Sequence, residues 1–133
     1  MSVQISHIET GLEMFDPAPT SIAVTSGPDH IVIYTNPAYR SIFGERPTGV
    51  PIGRSAASAV EVERFLSYFD YVLATGEAVT SGDQPLRAAY ASGGTVTTKW
   101  TAVSYSPITV AGHAPGVLVV AADVTERVLQ QKR

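Results

Sequence analysis

Apolar positions recur along this chain with two periods, and the switches between them mark its elements. Ile5, Ile8, Leu12 and Phe15 fall on one stripe at helical spacing, and Asp16-Pro17-Ala18-Pro19 ends that segment sharply. Ser21 to Thr25 is a short apolar run, Ser26-Gly27-Pro28-Asp29 carries turn chemistry, and His30 to Thr35 alternates β-branched and aromatic residues. The two runs predict a hairpin. Asn36-Pro37 changes the element, because Asn is a favoured N-cap and Pro at the first helical position has no amide hydrogen to leave unpaired. A short helix should follow, burying Ala38, Tyr39, Ile42 and Phe43 and stopping at Gly44, with loop from Glu45 to Arg54.

Ser58-Ala59-Val60-Glu61 is a capping-box pattern. Behind it Val62, Phe65, Leu66, Phe69, Val72 and Leu73 share one helical face, Glu63, Arg64, Ser67 and Asp70 take the other, and Thr75-Gly76 ends the helix. The second half turns to β. Leu86 to Ala91 and Thr95 to Ser106 predict strands around a Ser92-Gly93-Gly94 turn, with Pro107 as the stop. After a loop at Gly112 to Pro115, Gly116 to Ala122 is a continuous apolar run that suits a central strand. Asp123 and Glu126 repeat the cap-and-carboxylate spacing, so a helix should begin after Asp123 and still be running at Arg133. Strands in sequence with helices grouped between them predict an α+β fold. Its five-stranded antiparallel sheet carries helices on one face, with an N-terminal flanking helix and a C-terminal exit helix.

Composition narrows the chemistry. The 133 residues fit one domain, and with 44% apolar and 16% charged residues a buried core is expected. A net charge of −3 with no basic run argues against nucleic-acid contact by this domain. The absence of cysteine removes disulfides, thiolate metal sites and cysteine nucleophiles. The first fifteen residues hold His7, Glu9 and Glu13 and no signal core, and Val117 to Ala122 is too short to cross a bilayer. The expectation is a cytoplasmic chain with no membrane contact.

Several segments together resemble the PAS domains of bacterial signalling proteins. Ile31-Val32-Ile33-Tyr34-Thr35-Asn36-Pro37-Ala38-Tyr39 with Phe43-Gly44 is similar to that family's strand-Asn-x-Ala-helix-Phe-Gly segment. Tyr105-Ser106-Pro107-Ile108 and Gly116-Val117-Leu118-Val119-Val120 follow in the family's order. Asp123-Val124-Thr125-Glu126-Arg127 resembles its Asp-x-Thr exit, and Phe15-Asp16-Pro17-Ala18-Pro19 its lead-in. The resemblance divides the chain into a flanking helix and lead-in (1–19), a PAS-like core (20–123) and the start of an output helix (124–133). It implies a sensory input domain that passes its state through the C-terminal helix to an effector beyond this chain, a kinase, phosphatase or DNA-binding domain of a two-component or transcriptional regulator. It names no cofactor. A cysteinyl-flavin is excluded by the missing thiol. Haem is not expected, since the family's haem histidine lies on the central helix and Val60 to Thr75 has none.

Tyr39, Phe43, Phe65, Phe69, Tyr90 and Trp100 should point between helices and sheet, as a pocket with hydrogen-bonding handles or as ordinary core. A domain of this size needs such aromatics for packing, and packing is the favoured reading. Asp123 should cap the exit helix and serve with Thr125 and Arg127 as signal relay. His30 beside Asp29, and His7 near Glu9, are expected at the surface. Two ligands make no metal site, so none is assigned. With no Gly-x-Ser-x-Gly elbow, no Gly-x-x-x-x-Gly-Lys loop and inward positions apolar or aromatic, an enzyme is not expected. The N-terminal stripe must be covered by the sheet's outer face or by a second copy, and a homodimer is the expectation. The competing reading is a ligand-free dimerisation module of the same fold.

Overall fold

The computed structural model describes residues 11–43, 48–55, 59–89 and 96–131. Five strands, β1 (Ser21–Ser26), β2 (Ile31–Thr35), β3 (Val79–Ala89), β4 (Val96–Ile108) and β5 (Gly116–Asp123), form one sheet in the order β2-β1-β5-β4-β3. Every neighbouring pair is antiparallel. Helices α1 (Pro37–Phe43) and α2 (Ala59–Thr75) lie between β2 and β3 in sequence, and α3 (Thr125–Gln131) follows β5. The expected α+β architecture is the one found.

Alternation along the strands explains how one sheet serves two clusters. Ala23, Val32, Val103, Tyr105, Val117, Val119 and Ala121 face α1 and α2, where they bury Tyr39, Ile52, Phe69 and Val72. Ile22, Val24 and Tyr34 face the other way and meet Leu12 and Val110. The helices and the lead-in thus cover opposite faces. Complete burial of a Val or Phe side chain contributes about 1.5–3 kcal/mol, so Phe69 and Val72 anchor α2 far more strongly than helix propensity does. Gly76 ends α2 as expected, with φ 72° and its N–H donating to the Val72 carbonyl at 2.8 Å.

Three boundaries differ from the sequence expectation. Leu12–Phe15 is a single 3-10 turn preceded by Gly11 at φ 64°. A left-handed residue cannot sit inside a right-handed helix, so no helix runs through Gly11; Ile5 and Ile8 lie outside the described residues. β3 begins at Val79, seven residues before Leu86. Gly82 and Pro85 hide this strand in the sequence, yet β3 is at the sheet edge, where a proline is tolerated. Its register shifts between Thr80 and Asp83, and there the Ser81 hydroxyl accepts the Val103 N–H at 3.3 Å. β4 runs through Pro107 because its pairing with β3 ends at Tyr105, leaving β5 as its neighbour there.

One side chain joins the lead-in, β1 and α1. Asn36, fully buried, accepts the N–H groups of Ile22 and Tyr39 on Oδ1, both at 2.9 Å. Its Nδ2 donates to the carbonyls of Phe15 at 3.1 Å and Thr20 at 2.9 Å. The bond to Tyr39 is the expected N-cap; the other three hold the backbone of the lead-in and β1.

Asn36→Ala strands two N–H groups and two carbonyls, and should lower unfolding stability by about 3 kcal/mol or more in chemical denaturation; a loss under about 1 kcal/mol contradicts this role. A Cβ on Gly116 would stand 1.8 Å from the Thr25 carbonyl oxygen. Gly116→Ala should therefore force β1 and β5 apart and cost about 3 kcal/mol, whereas an unchanged denaturation midpoint refutes that close approach.

Candidate functional site

The inner face gathers aromatic rings from three elements. Tyr39 of α1 and Phe69 of α2 are buried there, and Phe43 packs at its margin with its ring stacked on Tyr39 at 4.6 Å. Tyr105 of β4 meets Phe69 edge-on at 5.4 Å and Tyr68 in a stack at 5.0 Å. Of the six residues expected to line this interior, the structure brings Tyr39, Phe43 and Phe69 together. Trp100 lies on β4 opposite Pro85 and Phe65 lies on α2, but their side chains fall outside what is described, as does all of Tyr90. Tyr68 was not singled out from sequence, and Tyr105 was named only within a family-like segment and not as an interior residue. Strand alternation with Val103 is the signal that places Tyr105 inward.

Burial pushes the Tyr105 hydroxyl well above its ordinary range, and the phenols of Tyr68 and Tyr39 push it further. Three phenols therefore share one neighbourhood. Among the described residues no Asp, Glu, Lys or Arg is buried. The described part of the interior offers neutral hydrogen-bonding groups on apolar walls.

His30 overturns an expectation. It is not on a strand or at the surface but in the β1–β2 turn, 4% exposed, with φ 54°. Left-handed backbone costs an L residue about 1–2 kcal/mol, and four contacts offset it. Its N–H donates to the Gly27 carbonyl at 3.1 Å, and its carbonyl accepts the Ile52 N–H at 2.9 Å. Its ring lies 5.0 Å from that of Phe69, and Nε2 is 2.8 Å from Asp70 Oδ1. The partner is thus Asp70, forty residues on, and not the adjacent Asp29. Outside this pair is an open groove of about 450 Å³ lined by Pro28, Asp29, His30, Pro51, Gly53, Leu66 and Asp70. Among the described residues, no group of three or more His, Asp or Glu side chains is placed to hold a metal ion.

The exit is equally specific. β5 ends at Asp123, which pairs with Thr101 of β4. Val124 accepts the first helical bond, from the Val128 N–H at 3.0 Å, so the backbone position of the N-cap falls on Val124, one residue later than expected. Thr125 opens α3, Arg127 is exposed, and Val128 is buried where α3 lies against β4. Among the described residues, no helix is long and apolar enough to cross a membrane.

A five-stranded antiparallel sheet with helices over one face and an exit helix leaving its central strand defines a class of sensory domains. The model of the PAS-fold family matches residues 15–129, and the chain belongs to that family. No curated protein matches it in sequence. Among solved structures it is similar to the phage VqmA–DPO complex, at 16% identity and a TM-score of 0.67 over 98% of this chain and 58% of that one. It is also similar to the PAS domain of Bordetella pertussis BvgS, at 18% identity and a TM-score of 0.66 over 98% and 93% of the two chains. The Vibrio cholerae VqmA dimer matches at 18% identity and a TM-score of 0.64, over 96% and 52%. The chain thus spans little more than half the length of the VqmA proteins.

Tyr34 is raised like Tyr105, first by burial and then by its 2.5 Å hydrogen bond to Asp16. Both hydroxyls keep their protons longer in the folded than in the unfolded chain, whose tyrosines titrate near about pH 10. Their stabilisation is complete below that pH and is lost as pH rises above it. Denaturation midpoints should fall steeply between about pH 9 and pH 12, and Tyr105→Phe should flatten the fall; an equal slope in the variant refutes the assignment.

Proposed function

We propose that this domain is a sensory input module that takes a small uncharged molecule, or answers to a protein partner, and relays its state through α3 to an effector outside this chain. One observation carries the reading. β5 floors the aromatic interior with Val117, Val119 and Ala121, sits at the centre of the sheet, and leads into α3 across the single residue Val124. A shift of β5 under an occupied interior is a shift of the helix that leaves it. Asp123, Thr125 and Arg127 then act as the relay, with Val128 as the point where α3 rests on β4.

Phe65, Tyr90 and Trp100 complete the ligand-facing set with Tyr39, Phe43 and Phe69. The domain acts as a receptor and not as a catalyst, works in the cytoplasm, and makes no nucleic-acid contact itself. The effector is a kinase, a phosphatase or a DNA-binding domain. VqmA, reported in complex with DPO and as a dimer that binds target DNA, supports a small-molecule input and makes a DNA-binding output the first to examine. The domain pairs as a homodimer through its N-terminal segment, a reading supported by Met14, 73% exposed beside the outer apolar cluster.

A thermal-shift screen of uncharged metabolites tests the input. A ligand at a hundred times its Kd contributes about 2.7 kcal/mol, which raises Tm by about 10 °C in a domain of this size. Tyr105→Phe should weaken that ligand about tenfold, through one lost hydrogen bond. If no compound stabilises the chain while it remains a dimer, the ligand-free dimerisation module replaces this reading.

A further inference from the structure

Two buried polar atoms at the turn end of the interior have no partner among the described residues: His30 Nδ1 and Thr25 Oγ1. Both belong to the inner side of the sheet. Thr25 alternates with Ala23 on β1 and pairs with Val117 and Val32, which are core residues of that face. His30 precedes β2 and lays its ring against Phe69. Buried polar atoms in native proteins nearly always find a partner, so two unpaired ones in the same hairpin point to a partner beyond the described residues.

The chemistry of that group follows from Asp70. A carboxylate only accepts, so the 2.8 Å contact requires the hydrogen of the imidazole to be on Nε2. In the tautomer with its hydrogen on Nε2, Nδ1 is a bare lone pair that can accept. The two ring nitrogens flank one carbon and point in different directions. Nε2 meets Asp70, whose side chain is 71% exposed, whereas Nδ1 is fully buried. We infer that Asp70 is a positioning residue which fixes the His30 tautomer, and that His30 Nδ1 and the Thr25 hydroxyl form a polar subsite for a ligand carrying a hydrogen-bond donor next to an acceptor. Nδ1 takes the ligand's N–H or O–H, and the Thr25 hydroxyl donates to its acceptor. A secondary amide or an alcohol fits this pair; a ligand without a donor does not.

This assignment rests on the input-module reading and deepens it, because it says what the occupant must present at one end. It also gives a reason for a histidine in left-handed backbone: the ring is held where its free nitrogen meets the interior. Thr25 then resembles other binding groups that are kept at a cost to the empty fold, since an unpaired buried hydroxyl destabilises.

The test is nitrogen-15 NMR of the imidazole with N-methylacetamide as probe and N,N-dimethylacetamide, which lacks the N–H, as control. In the free chain the His30 signals should report Nε2–H and a bare Nδ1, and Asp70→Ala should mix the tautomers, with Asp70→Asn restoring most of the preference. N-methylacetamide should move the Nδ1 signal saturably, and the control should bind at least tenfold more weakly. Thr25→Val should raise Tm by about 2 °C or more and weaken N-methylacetamide at least threefold. An Nδ1 that carries the hydrogen in the free chain, an Nδ1 unmoved by the probe, or a Thr25→Val variant with lowered Tm each overturns the subsite. If metabolites from the thermal screen enter the interior with Nδ1 unmoved, the subsite fails while the input module stands. A screen without hits fails the input module on its own evidence.

Discussion

The side-chain amide of Asn36 is the constraint around which the two faces of this domain are arranged. It touches the lead-in, the first strand and the first helix together, and these four side-chain hydrogen bonds all go to main chain. Main-chain groups cannot be removed by substitution elsewhere, so the geometry is fixed whatever side chains surround it. The lead-in has to cross below the start of α1, which sends Leu12 and Phe15 to the outer face. The first helix has to start where β2 ends, which turns Tyr39 towards the inner one. A carboxamide is needed for this: a carboxylate lacks the two donors, and a hydroxyl lacks the reach.

Much of the fold was legible because local signals agreed with the global arrangement. The cap at Asn36, the face of α2 that carries Phe69 and Val72, the stop at Gly76 and the central run of β5 each read correctly from spacing alone. The failures share a cause. Gly82 and Pro85 have meaning only once β3 is known to be an edge strand. Gly11 looks harmless inside an apolar stripe until its backbone turns left-handed.

The candidate site was legible in part, and for a similar reason. Aromatic residues at inward positions were visible from period, so Tyr39, Phe43 and Phe69 were found. His30 was not, because its alternation with Ile31 to Thr35 imitates a strand, and its partner is on another element. No window along the sequence joins residue 30 to residue 70; only the folding of α2 over the β1–β2 turn does. At the exit, Asp123 and Val124 differ by one position, a distinction that spacing does not resolve but a single backbone hydrogen bond does.

The outermost strand also limits how copies of this domain can meet. An edge strand ordinarily invites another chain to extend the sheet by main-chain pairing, the route to fibrils. Pro85 withholds a donor from that rim, and the irregular step between Thr80 and Asp83 bends the remaining ladder out of line. Growth of the sheet past β3 by strand addition is thereby discouraged at this rim.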